Sequence, residues 1–320
     1  MRYGKRILLC LLAAALLLGL FTGCGEAKRS DKLTIVVTVF PVYDWVKNLL
    51  GDRLEEVDLI LLEDTGADLH NFQPTPHDIY LITTCDLFIY VGGESDRWVP
   101  DVLDQATNQQ MTVVNLLEEL GDAAREEAIL EGMDPQQEDE ESMDEHIWLS
   151  PKNALLLCPA LTRALEQKDP DNAQAYRAAG RAYQTRLEEL DQAYTQGVQN
   201  APGKAVLFAD RFPFLYLTED YGITAYAAFS GCSAETEASP AMIRRLADKV
   251  DQLGLGYVLV LENANRRTAE TVISESKAAN AQILELNSMQ SVTGQDAENG
   301  ADYIQIMQSN LTVLKKALGG

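Results

Sequence analysis

The sequence predicts an α/β protein of two lobes, each with a mainly parallel sheet flanked by helices, joined by one long α-helix. Three observations carry this. Short β-branched apolar runs alternate with helix-period segments in the first half of the chain, and the same alternation returns in the second; that is the pattern of βα units building parallel sheets. Between the halves, residues 172–199 hold no proline and place apolar side chains every three or four residues. A length of 320 residues suits two domains at roughly 100–200 residues each.

In chain order, Arg2, Lys5 and Arg6 precede an unbroken apolar run over 7–20, and Thr22-Gly23 lead into Cys24. A charged start, an apolar stretch too short for the roughly 20 residues of a membrane span, and a small-residue cleavage site read as a secretory signal peptide. With cysteine next, the leader reads as a lipoprotein signal over 1–23, with Cys24 the lipidated residue. Residues 24–32 then serve as a tether.

The first lobe is expected over 33–168. Residues 33–40 (LTIVVTVF) and 57–62 read as strands, and Pro41 starts a helix closed by Gly51. Thr75 is placed as an N-cap, with Pro76 at the first helical position and Asp78 at the third, which puts His70 in a loop just upstream of that helix. Residues 86–91 (DLFIYV) and 111–116 are the third and fourth strands, with a helix over 98–105 between them. The segment 131–145 (EGMDPQQEDEESMDE) is dense in acid and poor in apolar residues. It reads as a solvated insert, or as a collector of cations beside His146.

A helix over 154–166 leads to the connector, 169–200. A helix covering 172–199 would be about 40 Å long, far beyond the mean of roughly 11–12 residues. The second lobe, 201–320, repeats the first. Strands are expected over 205–209, 223–229, 257–261 and 282–286, and helices over 214–221, 242–253, 267–279 and 303–318.

The formal net charge of −23 excludes nucleic-acid binding by counterion release, which needs a basic face, and suits a cationic ligand. Cys85, Cys158 and Cys232 form no CxxC pair, so neither a disulfide framework nor a four-cysteine zinc site is indicated. Cys232, in a loop-like GCS, is the thiol to follow, although its spacing gives no ligand motif. No GxSxG, HExxH or phosphate-loop signature appears, and no enzymatic activity is expected.

Only three histidines occur, His70 and His77 in DLHNFQPTPHD and His146 in DEHIWLSP. Together with the lipoprotein-like start, DLFIYVGGESDRWV, FPFLYLTEDYGI and ETEASP, these motifs resemble the metal-binding solute receptors of bacterial ABC importers, the zinc and manganese cluster. The resemblance spans essentially the whole mature chain. It implies two lobes on one rigid helix, metal held between them, His70 and His146 as the ligands from the first lobe, and small lobe movements in release. His77 has no matching role and reads as a surface residue. Zinc is the expected cargo, with manganese or iron as alternatives. The partners implied are a membrane permease and, through the lipid on Cys24, the outer face of the cell membrane, with the protein a monomer.

The second lobe departs from the family pattern. Arg211 stands where members carry histidine or glutamate, and Asn287 where they usually carry aspartate; an arginine has no acceptor for a metal. Three accounts follow: Asp210 turns in as the ligand, with Asn287 as a neutral oxygen contact; Glu262 supplies the carboxylate; or the site has changed its ligand, with Arg211 neutralising an anion. Asp210 is the favoured ligand. An adhesion or scaffold lipoprotein with a vestigial site is the alternative function.

Overall fold

Two four-stranded parallel sheets form the frame, and they share one topology. The first has the order β2-β1-β3-β4 and is built from β1 (Leu33–Val37), β2 (Val57–Leu61), β3 (Leu87–Tyr90) and β4 (Thr112–Asn115). The second has the order β6-β5-β7-β8, from β5 (Ala205–Phe212), β6 (Thr224–Ser230), β7 (Tyr257–Leu261) and β8 (Gln282–Leu286). In each, the earliest strand lies inside and its successors pair on either side, so the strand order reverses beside it; ligands of such sheets bind outside the carboxyl ends of the strands at that point. The computed structural model describes residues 32–66, 69–133, 142–233, 237–278 and 280–319. The expected leader, Cys24, the tether up to residue 31 and the middle of the acidic segment, 134–141, lie outside the described residues.

The β-branched runs form strands because both faces are covered: Ile35, Val36 and Val37 have no solvent exposure. β1 is shorter than its apolar run suggests. Phe40 already opens helix α1 (Phe40–Leu50), since Pro41 in the first turn fits a helix start and cannot donate to a ladder. The expected cap of α2 (Pro76–Thr84) is present as a capping box, with the Thr75 hydroxyl accepting the Asp78 amide and the Asp78 carboxylate accepting the Thr75 amide. The short helices α3 (Val99–Leu103) and α4 (Leu116–Leu120) flank β4. Ser150 caps α5 (Pro151–Lys168), accepting the amides of Lys152 and Asn153, so that helix begins three residues earlier than its apolar pattern indicates.

The connector is α6 (Ala173–Gln199), 27 residues long. Its buried face runs Tyr176, Gly180, Tyr183, Leu187, Leu190, Tyr194, Val198, a three-and-four spacing that keeps one stripe inward. At Gly180 a β-carbon would come within 2.8 Å of the Thr162 hydroxyl, so glycine sets how closely α5 and α6 approach. The second half of the chain adds α7 (Leu215–Tyr221), α8 (Pro240–Leu253), α9 (Arg267–Glu275), α10 (Gly294–Glu298), which packs on α1, and α11 (Tyr303–Ala317). The main apolar cluster takes in Trp45 and Leu49 of α1, the α6 stripe and Tyr303, Met307 and Leu314 of α11. One continuous core thus backs both sheets, and residues Leu33–Gly320 form one compact unit.

Within that core Asp44 is 1 % exposed. Its carboxylate accepts the Tyr303 amide at 3.1 Å and the Asn48 amide group at 3.2 Å, with Lys47 3.8 Å away. Burial raises this carboxyl from 3.8 to about 6; the Tyr303 amide opposes the rise, Asp302 adds to it, and Lys47 and Arg186 oppose it. A raised carboxyl means that the native state holds the proton more tightly than the unfolded chain, so stability falls as pH rises from about 4 to 6. Asp44→Asn keeps an acceptor for Tyr303 and removes the charge. In paired denaturant unfolding series, the stability of the variant relative to wild type is expected to rise by up to about 3 kcal/mol between pH 4 and 8, at about 1.4 kcal/mol per pH unit. A difference independent of pH would contradict this account of Asp44.

Candidate metal centre

The loops at the carboxyl ends of the strands converge on His70 and His146. His70 lies in a single 3-10 turn, Leu69–Asn71, after β2. His146 immediately precedes another, Ile147–Leu149, ahead of the Ser150 cap of α5. The two rings are 5.4 Å apart, edge to face at 66°, and Trp148 packs on the far side of His146 at 5.5 Å. His146 has no solvent exposure. His77 is exposed on α2 and takes no part.

Each imidazole is held through Nδ1 by a carboxylate. His70 Nδ1 lies 2.9 Å from Glu145 Oε1 and 2.9 Å from the Ser95 hydroxyl. Ser95 also donates its hydroxyl to Glu145 Oε1 and its amide to Oε2 at 3.0 Å. His146 Nδ1 lies 3.0 Å from Asp144 Oδ1, which also accepts the His146 amide at 2.8 Å. A carboxylate on Nδ1 fixes the tautomer and presents Nε2 as the donor atom, the arrangement of metal-ligating histidines. Nε2 of His146 is buried without a hydrogen-bond partner, a costly state for a polar atom unless a cation takes it.

The third member comes from the second sheet. Cys232 follows β6, and its sulfur lies with the ligating nitrogens of His70 and His146 in a group whose atoms are all within 4.8 Å of one another. Among the described residues this is the one group of three or more histidine, cysteine or acidic side chains so arranged. The Cys232 amide donates to Glu127 Oε1 at 3.0 Å and its thiol faces Glu145 Oε1 at 3.6 Å. Gly231 makes the approach possible: a β-carbon there would meet His146 Cε1 at 2.9 Å and the Phe212 carbonyl at 3.1 Å.

The electrostatics favour a cation. Burial alone would raise Glu145, but its hydrogen bond with His70 and the charges of His146 and His70 outweigh that and bring it down to about 2. Burial works against a charged His146, yet the charge and hydrogen bond of Asp144, with Glu145 and Glu127 beyond, raise it. Burial and the Glu145, Glu127 and Asp144 carboxylates push the Cys232 thiol well up. A divalent ion replaces those protons and is stabilised by the carboxylates that hold them.

Asp210 stands elsewhere. The expected strand over 205–209 continues to Phe212, with a register irregularity between Phe208 and Arg211. Beyond Phe208, β5 no longer pairs with β7, and the Asp210 carboxylate takes the place of the missing acceptor: it binds the Leu261 amide at 3.0 Å and the Arg211 amide at 2.8 Å. Glu262 accepts the Ser288 amide and hydroxyl, each at 2.7 Å, and the Asn287 side chain accepts the Met289 amide at 2.7 Å. All three oxygen donors weighed from sequence are therefore engaged in hydrogen bonds: Asp210 to β7, Glu262 to the segment after β8, and Asn287 within its own turn. The acidic segment also differs from a fully solvated insert, for Asp144 and Glu145 at its end are each 1 % exposed.

Residues 35–317 match the family model described as ZnuA, zinc-uptake complex component A, periplasmic. The chain belongs to this family. Among its relatives, the zinc-binding lipoprotein AdcA of Streptococcus pneumoniae is 30 % identical over 315 residues, covering 96 % of this chain and 60 % of AdcA. The chain thus spans about three fifths of the length of that relative. The high-affinity zinc uptake system protein ZnuA of Bacillus subtilis is 28 % identical over 314 residues, covering 93 % of this chain and 94 % of that protein. The crystal structure of the Zn(II)-bound ZnuA-like domain of S. pneumoniae AdcA superposes with a TM-score of 0.71 at 30 % identity, covering 91 % of this chain and all of that one. The periplasmic zinc-binding protein TroA of Treponema pallidum shares the fold, with a TM-score of 0.73 at 23 % identity, over 90 % of this chain and 99 % of that one.

Gly231 gives this arrangement a direct test. Gly231→Ala is expected to weaken zinc binding about tenfold or more by displacing the His146 ring, on the scale of second-layer changes at metal sites. Gly256→Ala, where a β-carbon meets nothing within 4 Å, is expected to bind as wild type. Isothermal titration against a competing chelator measures both, and equal affinities would contradict the close packing of Gly231 on His146.

Proposed function

We propose that this chain is the extracytoplasmic solute-binding lipoprotein of an ABC importer, holding zinc through His70, His146 and Cys232 and delivering it to a membrane permease. Two imidazoles whose Nδ1 atoms rest on buried carboxylates, converging with a thiol, are the observation that carries this reading. The donor set selects the ion. Nitrogen and thiolate sulfur are the usual ligands of zinc, whereas manganese favours oxygen, so the sulfur argues for zinc over the manganese or iron that the sequence alone left open. Relatives named as zinc-binding lipoproteins and zinc-uptake proteins support the same cargo.

The carboxylates do the positioning. Asp144 and Glu145 orient the rings, and with Glu127 they supply the negative field that offsets the ion's charge. The protein binds and releases; it performs no reaction on its cargo. Lobes over 33–168 and 201–320, joined by 169–200, close on the ion through small movements, because the long helix and the shared core resist a wide hinge. Cys24, following the expected leader, carries the lipid that keeps the body at the outer face of the membrane.

Titration of zinc into the mature chain tests this. His70→Ala, His146→Ala and Cys232→Ala are each expected to weaken binding by about a hundredfold, and a zinc concentration that just saturates the wild type is expected to raise its melting temperature more than that of any of the three variants. Wild-type affinity in either histidine variant would move the site elsewhere, and wild-type affinity in Cys232→Ala would return the third ligand to an oxygen donor. In cells, Cys24→Ala is expected to leave the protein unlipidated and free of the membrane fraction; retention of the variant in that fraction would contradict the anchor.

A further inference from the structure

His70, His146 and Cys232 offer two nitrogens and one sulfur, all within 4.8 Å of one another. The second-lobe oxygen donors weighed from sequence do not complete this set: Asp210 is held on the Leu261 and Arg211 amides, Glu262 on Ser288, and Asn287 on Met289. Zinc in proteins is almost always four-coordinate. On these three donors it must draw its last ligand from solvent, for which the cavity of about 600 Å³ beside His70 and Cys232 has room.

Cuprous copper makes no such demand. It is a soft monovalent ion with a filled d shell, well satisfied by three donors when one of them is a thiolate. Thiolate sulfur selects Cu(I) over harder ions, imidazole suits copper as well as zinc, and two imidazoles with one thiolate are the ligands of trigonal copper sites in proteins. Asp144 and Glu145 rest on Nδ1 of His146 and His70 at 3.0 and 2.9 Å, so they orient the rings in the same way for either ion. Each carboxylate also accepts a backbone amide, from His146 and Ser95, which offsets part of its charge. The bonded sulfur therefore weighs more in the choice of ion than the field behind the rings.

We infer that the site takes Cu(I) ahead of zinc, and that Cys232 is the residue that sets this preference. The inference rests on the zinc reading above and adds a second ion that competes for the same donors. Copper then blocks the receptor by occupying it, and zinc delivery is sensitive to copper.

Zinc-loaded mature protein is given one equivalent of Cu(I) without oxygen, with ascorbate to keep copper reduced. A colorimetric zinc indicator reads the zinc set free, and competition with a Cu(I)-specific chelator reads the copper affinity. Wild type is expected to release its zinc stoichiometrically and to bind Cu(I) about a hundredfold or more tightly than zinc. Cys232→Ser is expected to lower the ratio of copper to zinc affinity by about a hundredfold. A wild type that binds zinc and keeps it against Cu(I), or a ratio unchanged in Cys232→Ser, would overturn the inference while leaving the zinc reading standing. The wild-type displacement needs no variant and so decides the matter even where Cys232→Ser does not fold. Binding of Cu(I) but not of zinc would overturn the zinc reading alone, and binding of neither ion would overturn both.

Discussion

A buried carboxylate and a buried imidazole satisfy each other, and two such pairs fix the site. Asp144 and Glu145 would be severe liabilities in the interior without partners. Nδ1 of His146 and of His70 supply those partners at 3.0 and 2.9 Å, and both rings must then turn Nε2 toward the same point. The rest of the fold maintains that alignment. Ser95, in the loop after β3, holds the second oxygen of Glu145, and Gly93 leaves the room: a β-carbon there would meet Glu145 Oε2 at 2.7 Å. From the other sheet, the Tyr216 hydroxyl donates to the Asp144 carbonyl at 2.8 Å and accepts the Arg125 amide at 3.0 Å.

The same few residues tie the two sheets together. Trp148, two positions after His146, donates its indole N–H to the Ser288 carbonyl at 2.9 Å, and its own carbonyl accepts the Tyr303 hydroxyl at 2.7 Å. Arg125 pairs with Glu219 and Asp220 of α7, while Glu127 holds the Cys232 amide. A displacement of one sheet relative to the other therefore reaches His146 and Cys232 through short, specific hydrogen bonds. Few groups need to move for a ligand of the proposed site to be lost, so under the proposed function a body stiffened by a 27-residue helix needs no broad hinge for release.

Much of this was legible in the sequence because it is local. The parallel strands follow from apolar runs covered on both faces, the long helix from an uninterrupted three-and-four spacing, and the cap at Thr75 from a Thr-Pro-x-Asp arrangement. His70 and His146 stood out because each sits in a distinctive motif. What was not legible depended on tertiary register. Asp210 read as a loop residue free to turn inward, but β5 runs on to Phe212 and its irregularity commits that carboxylate to β7. Cys232 carried no spacing partner, because its partners are 86 or more positions away and meet it only where β6 ends. The one local hint was the glycine before it, which a thiol approaching a ring requires. Asp144 and Glu145 were hidden in an acidic run whose composition resembles a solvated insert, and their burial is what reveals them.

Two imidazoles and one thiolate meeting on a single ion are what X-ray absorption at the zinc edge of the metal-loaded mature chain would see. One sulfur at about 2.3 Å and two imidazole nitrogens at about 2.0–2.1 Å are expected, with the sulfur lost in Cys232→Ala. A shell of nitrogen and oxygen alone, unchanged by that substitution, would contradict it.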